Sequence, residues 1–240
     1  MIAFRRFLEI SPDDHEVRLI RGQSWLRWKG TADTLLAAAR SIPPAWDERG
    51  MATFARYTAF RAQRRYREML DMLEVSTTDI STDGLVYHPK PLMRAEAYYG
   101  LGDETRARHH YDIARLMLER QSAAAPNNAS IHSALGLAYA GLGRKSDAIR
   151  EAERAMELVP WTASAYRGTA YMGLAVEIFA RVGELDRAFE MIDLMLTMPS
   201  GREITIPYLR VWPSFDPLRN DPRFDDVIRR YAALYPTGQR

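Results

Sequence analysis

The sequence predicts an all-α protein: an α-solenoid, a right-handed superhelix of about five stacked helix hairpins with a C-terminal capping helix. Three observations carry that expectation. A glycine-led amphipathic segment recurs, prolines stand where helices end, and the composition is that of an ordinary globular chain, 47% hydrophobic and 27% charged with no cysteine.

The recurrence is concrete. Segments 102–115 (GDETRARHHYDIAR), 143–156 (GRKSDAIREAERAM) and 183–196 (GELDRAFEMIDLML) align without gaps. Each has Gly first and Ala sixth, at Ala107, Ala148 and Ala188. An apolar or small residue follows four positions on (Tyr111, Ala152, Ile192), and another three later (Ala114, Ala155, Met195). That spacing is one face of an α-helix. A further amphipathic stretch precedes each glycine, at 92–101, 131–142 and 166–182, so the unit is helix, glycine turn, helix. Glycine supplies the left-handed backbone that reverses the chain. Weaker copies precede these, turning at Gly30 and Arg64. The expected turns are therefore near 30, 64, 102, 143 and 183, with Pro43, Pro126, Pro160 and Pro199 closing units.

The ends differ from the middle. Residues 3–12 read like the second helix of a hairpin, with Phe4, Phe7, Leu8 and Ile10 apolar and no first helix before them. The expectation is a piece of a longer polypeptide, with a genuine N-terminal half-cap as the alternative. Residues 1–199 form the predicted repeat array. Residues 200–240 form a Pro-rich loop, with four prolines in 200–223, and a capping helix over 224–234 that covers the last apolar face.

Residues 129–160 resemble a tetratricopeptide repeat. Leu135 and Gly136 match the family's Leu-Gly pair, Tyr139 its aromatic, Ala148 and Ala155 its two small residues, and Pro160 its closing proline. His132 and Ala152 depart from its aromatics, and Gln23 and Tyr57 stand where the two early copies should carry small residues. The run WPSFDPLRNDPRF (212–224) resembles the closing segment of bacterial tetratricopeptide regions fused behind kinases, cyclases or winged-helix regulators. The resemblance implies a protein-interaction scaffold in a bacterial signalling or regulatory protein. It does not bring the family's carboxylate clamp, because the matching positions here are largely apolar or small.

The residues point away from catalysis. Absent cysteine excludes disulfides, thiolate chemistry and cysteine-ligated metals. The net charge is +2, with 19 basic and 17 acidic residues in 1–120 and 14 of each in 121–240, so no nucleic-acid footprint is expected. No run of about 18 apolar residues could span a membrane, and the start has no signal-peptide core, which gives a cytoplasmic expectation. GLGRKS (141–146) lacks the glycine placement of a phosphate loop and reads as a hairpin turn. Of the five histidines (15, 88, 109, 110, 132), the adjacent pair 109 and 110 diverges by about 100° on a helix and cannot share a metal. No serine sits in a GxSxG elbow. Asn128 begins a glycosylation sequon but is better placed as a helix N-cap. The expectation is therefore no catalytic residue, no metal and no cofactor.

Binding is the remaining class. Six arginines lie between 49 and 67 (49, 56, 61, 64, 65, 67), with Arg61, Arg64 and Arg65 spaced as neighbours on a helix. They read as an anion-binding patch or, more economically, as a solvated face paired with Glu48, Glu68 or Asp71. The first-helix register places Arg27, Phe54, Arg61, Leu92, Glu96, Tyr99, Ser133, Leu137 and Glu177 along the concave groove. The same register adds Val17, Ile20, Ser24, Met51, Thr58, Ser130 and Ala140. Apolar anchors mixed with Arg, Tyr and Glu suit a peptide or partner protein. The alternative is a small-ligand or carbohydrate sensing domain, and a third reading is an enzyme with its site between array and cap. A pocket of convergent polar groups would favour the alternative, and a long open groove the first reading.

Overall fold

The computed structural model describes residues 2–232 apart from 12, 48, 77–79, 83–85 and 199–202. The described chain is nearly all helical. Its elements are α1 (Ile2–Ile10), α2 (His15–Lys29), α3 (Asp33–Arg40), α4 (Met51–Ala62) and α5 (Tyr66–Val75), then a short hairpin of β1 (Ile80–Thr82) and β2 (Tyr87–Pro89). There follow α6 (Lys90–Gly100), α7 (Glu104–Ala124), α8 (Ala129–Gly141), α9 (Lys145–Leu158), α10 (Ala165–Arg181) and α11 (Leu185–Thr197). The C-terminal part holds α12 (Ile206–Val211), a 3-10 turn (Pro213–Phe215), α13 (Asp216–Arg219) and α14 (Arg223–Tyr231). Among the described residues, no helix is long and apolar enough to cross a membrane.

The helix starts and stops follow from local chemistry. Gly30, Gly102, Gly143 and Gly183 take φ of 72°, 74°, 75° and 77° between successive helices. Arg64 does the same at 56° without being glycine, in the α4–α5 turn. That conformation costs an L-residue about 1–2 kcal/mol and ends the helix there. Side chains cap some of the helix starts: Asp14 accepts from the Val17 amide, Asp103 from that of Arg106, and Asn128 from those of Ser130 and Ile131. Each satisfies a helix donor that would otherwise lack a partner.

From α2 to α11 every helix packs against the next one in the chain, and α8 also touches both α6 and α10. The small residues of the repeat, Ala107, Ala148, Ala155 and Ala188, are buried in these contacts, as are Tyr111, Ile192 and Met195.

Two parts differ from the sequence expectation. The β1–β2 hairpin pairs Ile80 with Pro89 and Thr82 with Tyr87, and β2 lies against α6 and α8. Its three-residue strands are too short to show an alternating pattern. Residues 203–219, read as a loop before a cap, instead form short helices, with α12 returning to α2 in the first half of the molecule and the 3-10 turn packing against α10. The closing helix α14 packs on α11 and runs from Arg223 to Tyr231. Glu48, Pro199, the last residue of 3–12 and the last two of 224–234 lie outside the described residues. In α1, Phe7 and Ile10 are exposed.

Candidate functional site

The register that defined the groove brings three of its residues from three different helices into contact. Arg61, at the end of α4, has Nη2 3.1 Å from Glu96 Oε1 of α6 and 3.5 Å from Glu177 Oε2 of α10. Only 4–6% of each residue is exposed. Tyr57, one turn before Arg61, donates its hydroxyl to Glu96 Oε2. From the other side, Ser214 accepts from Arg61 Nη2 at 2.6 Å and donates to Glu177 Oε2 at 2.6 Å. The Trp212 ring lies 4.5 Å from the Arg61 guanidinium.

The remaining groove residues take their places around this cluster. Arg27, three residues before the Gly30 turn as Arg61 is before Arg64, pairs with Glu203 at 2.5 Å, and its carbonyl accepts from the Thr205 hydroxyl. Phe54 packs on the His88 ring of β2 with centroids 5.5 Å apart. Leu92, Ser133 and Leu137 are fully buried, on the helices that β2 covers. Tyr99 stands apart and is 55% exposed, under the Arg181 guanidinium.

Most of these positions are covered by other parts of the chain. Arg27, Phe54, Arg61 and Glu177 line one cavity with Glu203, Tyr208, Trp212 and Phe215, and β2 lies against the helices that carry Leu92, Ser133 and Leu137. Glu203, Ser214 and Asp216 supply the partners that solvent or a bound peptide would have supplied. The arginine run divides between interior and surface, and Arg65 pairs with Glu68 as the solvated-face reading expects. The left-handed break at Arg64 ends α4, so the three side chains diverge. Arg61 turns inward, Arg64 pairs bidentately with Asp216 at 2.7 Å, and Arg65 folds back on Glu68. Arg56 caps α3 by donating to the carbonyls of Ala39 and Ile42.

The electrostatics of the cluster follow from burial. It holds one guanidinium and two carboxylates away from water. Burial raises the Glu177 pKa, and the Arg61 charge opposes that rise only in part. Burial disfavours the Arg61 charge, yet Glu96, Tyr57 and Glu177 together hold its pKa well above the ordinary value. Burial also lifts the Tyr57 hydroxyl well above the usual phenol range. The arrangement links four segments by ion pairs and short hydrogen bonds. No described histidine bonds to Ser214, so it lacks a serine–histidine relay.

His88 makes the site pH-sensitive. It is enclosed by Phe54 and Tyr57, and burial lowers its pKa to about 4. The neutral ring is the native form. As pH falls from about 6.5 to 4 the unfolded chain gains a proton that the folded chain refuses, so stability present above pH 6.5 is lost, by about 3 kcal/mol. Urea unfolding of wild type and His88→Phe at pH 7 and 4.5 checks this, with the variant expected to lose less on acidification. Glu177 acts oppositely: its contribution is greatest in acid and is lost as pH rises through its raised pKa.

The other histidines serve structure. His132 bridges Glu151 Oε2 (2.6 Å) and the Pro126 carbonyl (2.9 Å), and His110 stacks on Tyr98. Among the described residues, no three His, Asp or Glu side chains are grouped to hold a metal. Sequence reasoning missed Tyr57, His88 and the 203–219 segment as parts of the site. A signal for the segment existed: Ile204, Ile206, Tyr208, Leu209, Trp212, Phe215 and Leu218 are too many apolar residues for a solvated loop.

No family model matches the chain, and no curated protein or solved structure matches it either.

Proposed function

We propose that the chain is a non-catalytic binding module, a right-handed superhelix of about five tetratricopeptide-like hairpins within a bacterial signalling or regulatory protein. Its inner face takes a peptide or partner protein. In-order packing from α2 to α11 and the left-handed residues at the five expected turns support the architecture. One observation carries the function. The inner face already holds a stretch of polypeptide, through Arg27 to Glu203, Arg61 to Ser214 and Arg64 to Asp216. The face thus has the ionic and aromatic chemistry a peptide needs.

For a partner to use that face, 203–219 must open without unfolding the array. Native-state hydrogen exchange tests this at the amides of Leu209, Trp212 and Phe215, which bond to the carbonyls of Thr205, Tyr208 and Trp212. The expected result is exchange through an opening of lower free energy than that of α8 and α9. Exchange only by global unfolding would end the peptide reading.

A small-ligand sensing domain is the second reading. It is favoured by a cleft of about 500 Å³ beside the filled face, lined by Arg64, Tyr66, Tyr99, Glu104 and Arg181. That volume suits a small molecule.

A further inference from the structure

We propose that this cleft binds a small monocarboxylate with a flat apolar body, its carboxylate held by Arg181. The inference deepens the small-ligand reading and takes 203–219 in its closed place, since Pro213, Ser214, Asp216 and Pro217 line the cleft.

Arg181 is the odd cation of the cleft. Of the three arginines that line it, Arg61 faces two carboxylates and Arg64 is doubly bonded to Asp216. Arg181, half-buried at the end of α10, has no carboxylate partner among the described residues. Its guanidinium lies 4.1 Å from the Tyr99 ring centroid and 4.8 Å from that of Tyr111. Two rings hold the group in place, so a bidentate anion would meet a donor pair already oriented, and little ordering entropy would be lost on binding.

The repeat itself marks the position. Two residues before the left-handed glycines of the three ungapped copies stand Gly100, Gly141 and Arg181, while Trp28 holds that place before Gly30. In the first two copies the ring of Tyr66 or Tyr111 sits on the glycine, where an added Cβ would come within 2.3–2.5 Å. The third copy replaces the smallest side chain with a guanidinium that points into a cleft. Packing at this register does not call for an arginine, and departures of this kind are expected at functional positions.

The lining also selects the ligand. Glu96, Glu104 and Asp216 share the cleft, and Asp216 is already shared between Arg64 and Arg219. Three arginines thus face three carboxylates, and Arg181 is the arginine of the lining without an ion-pair partner among the described residues, so a single negative charge suits it better than a doubly charged phosphate beside Glu96, Glu104 and Asp216. Tyr66, Tyr99, Pro213 and Pro217 offer flat apolar surface to the rest of the molecule.

The test is calorimetric titration of the full chain with benzoate, with benzamide as its uncharged isostere, and with inorganic phosphate. Benzoate is expected to bind at least about ten-fold more tightly than either. Arg181→Gln should abolish the preference over benzamide while leaving the circular dichroism and melting temperature near wild type. Arg181→Lys, which keeps the charge but not the fork, should fall between. Absent benzoate binding, equal affinity for benzoate and benzamide, tighter binding of phosphate, or an Arg181→Gln variant that binds benzoate as wild type does would each overturn the proposal. The titrations read affinity with 203–219 closed, and the exchange experiment reads its opening in the ligand-free chain, so the two ideas fail separately.

Discussion

Arg61→Leu is expected to lower stability by about 3–5 kcal/mol at pH 7.5, because it strands Glu96 and Glu177 together in the interior without a cation. The pair of carboxylates, not the lost attraction, sets the size of the effect. Two consequences separate this from simple loss of packing. Lowering the pH should shrink the deficit, since a proton on Glu177 relieves the stranded charge, and burial already inclines that group to take one. Adding Glu96→Gln and Glu177→Gln to Arg61→Leu should recover at least half of the loss, because a buried ionic cluster exchanged for neutral groups is often nearly neutral overall. Urea unfolding of the single and triple variants at pH 7.5 and 5 decides it. A triple variant no more stable than Arg61→Leu would show that the cluster works by shape rather than charge.

How much of this could be read from the sequence depends on the range of the contacts. The turns were legible because each is a local event: a left-handed residue between two amphipathic stretches, visible as glycine at 30, 102, 143 and 183. Arg64 marks the same turn in a weaker copy, ahead of the amphipathic segment 65–73. The inner face was partly legible for the same reason. Counting back three and six residues from each turn picks out Arg27, Arg61, Glu96 and Glu177 from helices up to 150 residues apart. Burial was not legible. Six arginines in a short stretch look like a solvated surface, and nothing near Arg61 in sequence announces that Ser214, 153 positions later, will cover it. The four prolines in 200–223 hid the short helices there by breaking their period. The signal that remained, a concentration of aromatic and branched residues, indicates burial but not against what.

That segment is the object of the second large prediction. Phe215 is fully buried, edge-on to the Tyr208 ring, and the 3-10 turn that carries it packs on α10. Phe215→Ala is expected to remove about 3–5 kcal/mol, the usual cost of emptying a buried aromatic site that cannot collapse. If the inner face is a binding surface closed by its own chain, the loss should come from the local opening of 203–219. The amides of Leu209 and Trp212 would then lose protection by that amount, while α8 and α9 retain protection up to the reduced global stability. A peptide spanning 203–219, labelled and added in trans, should bind the variant at concentrations where wild type shows no binding, because the intact segment competes at high effective concentration. The ion pairs alone would not hold the segment. Arg64 and Asp216 are each about half exposed, and such a pair contributes about 0–1 kcal/mol. Closure therefore rests on Phe215, Trp212 and their apolar neighbours, with the charges setting the register. Should Phe215→Ala instead weaken every helix equally, in one cooperative transition and with no gain in peptide binding, the segment is part of the core. The site open to ligands is then the cleft at Arg181.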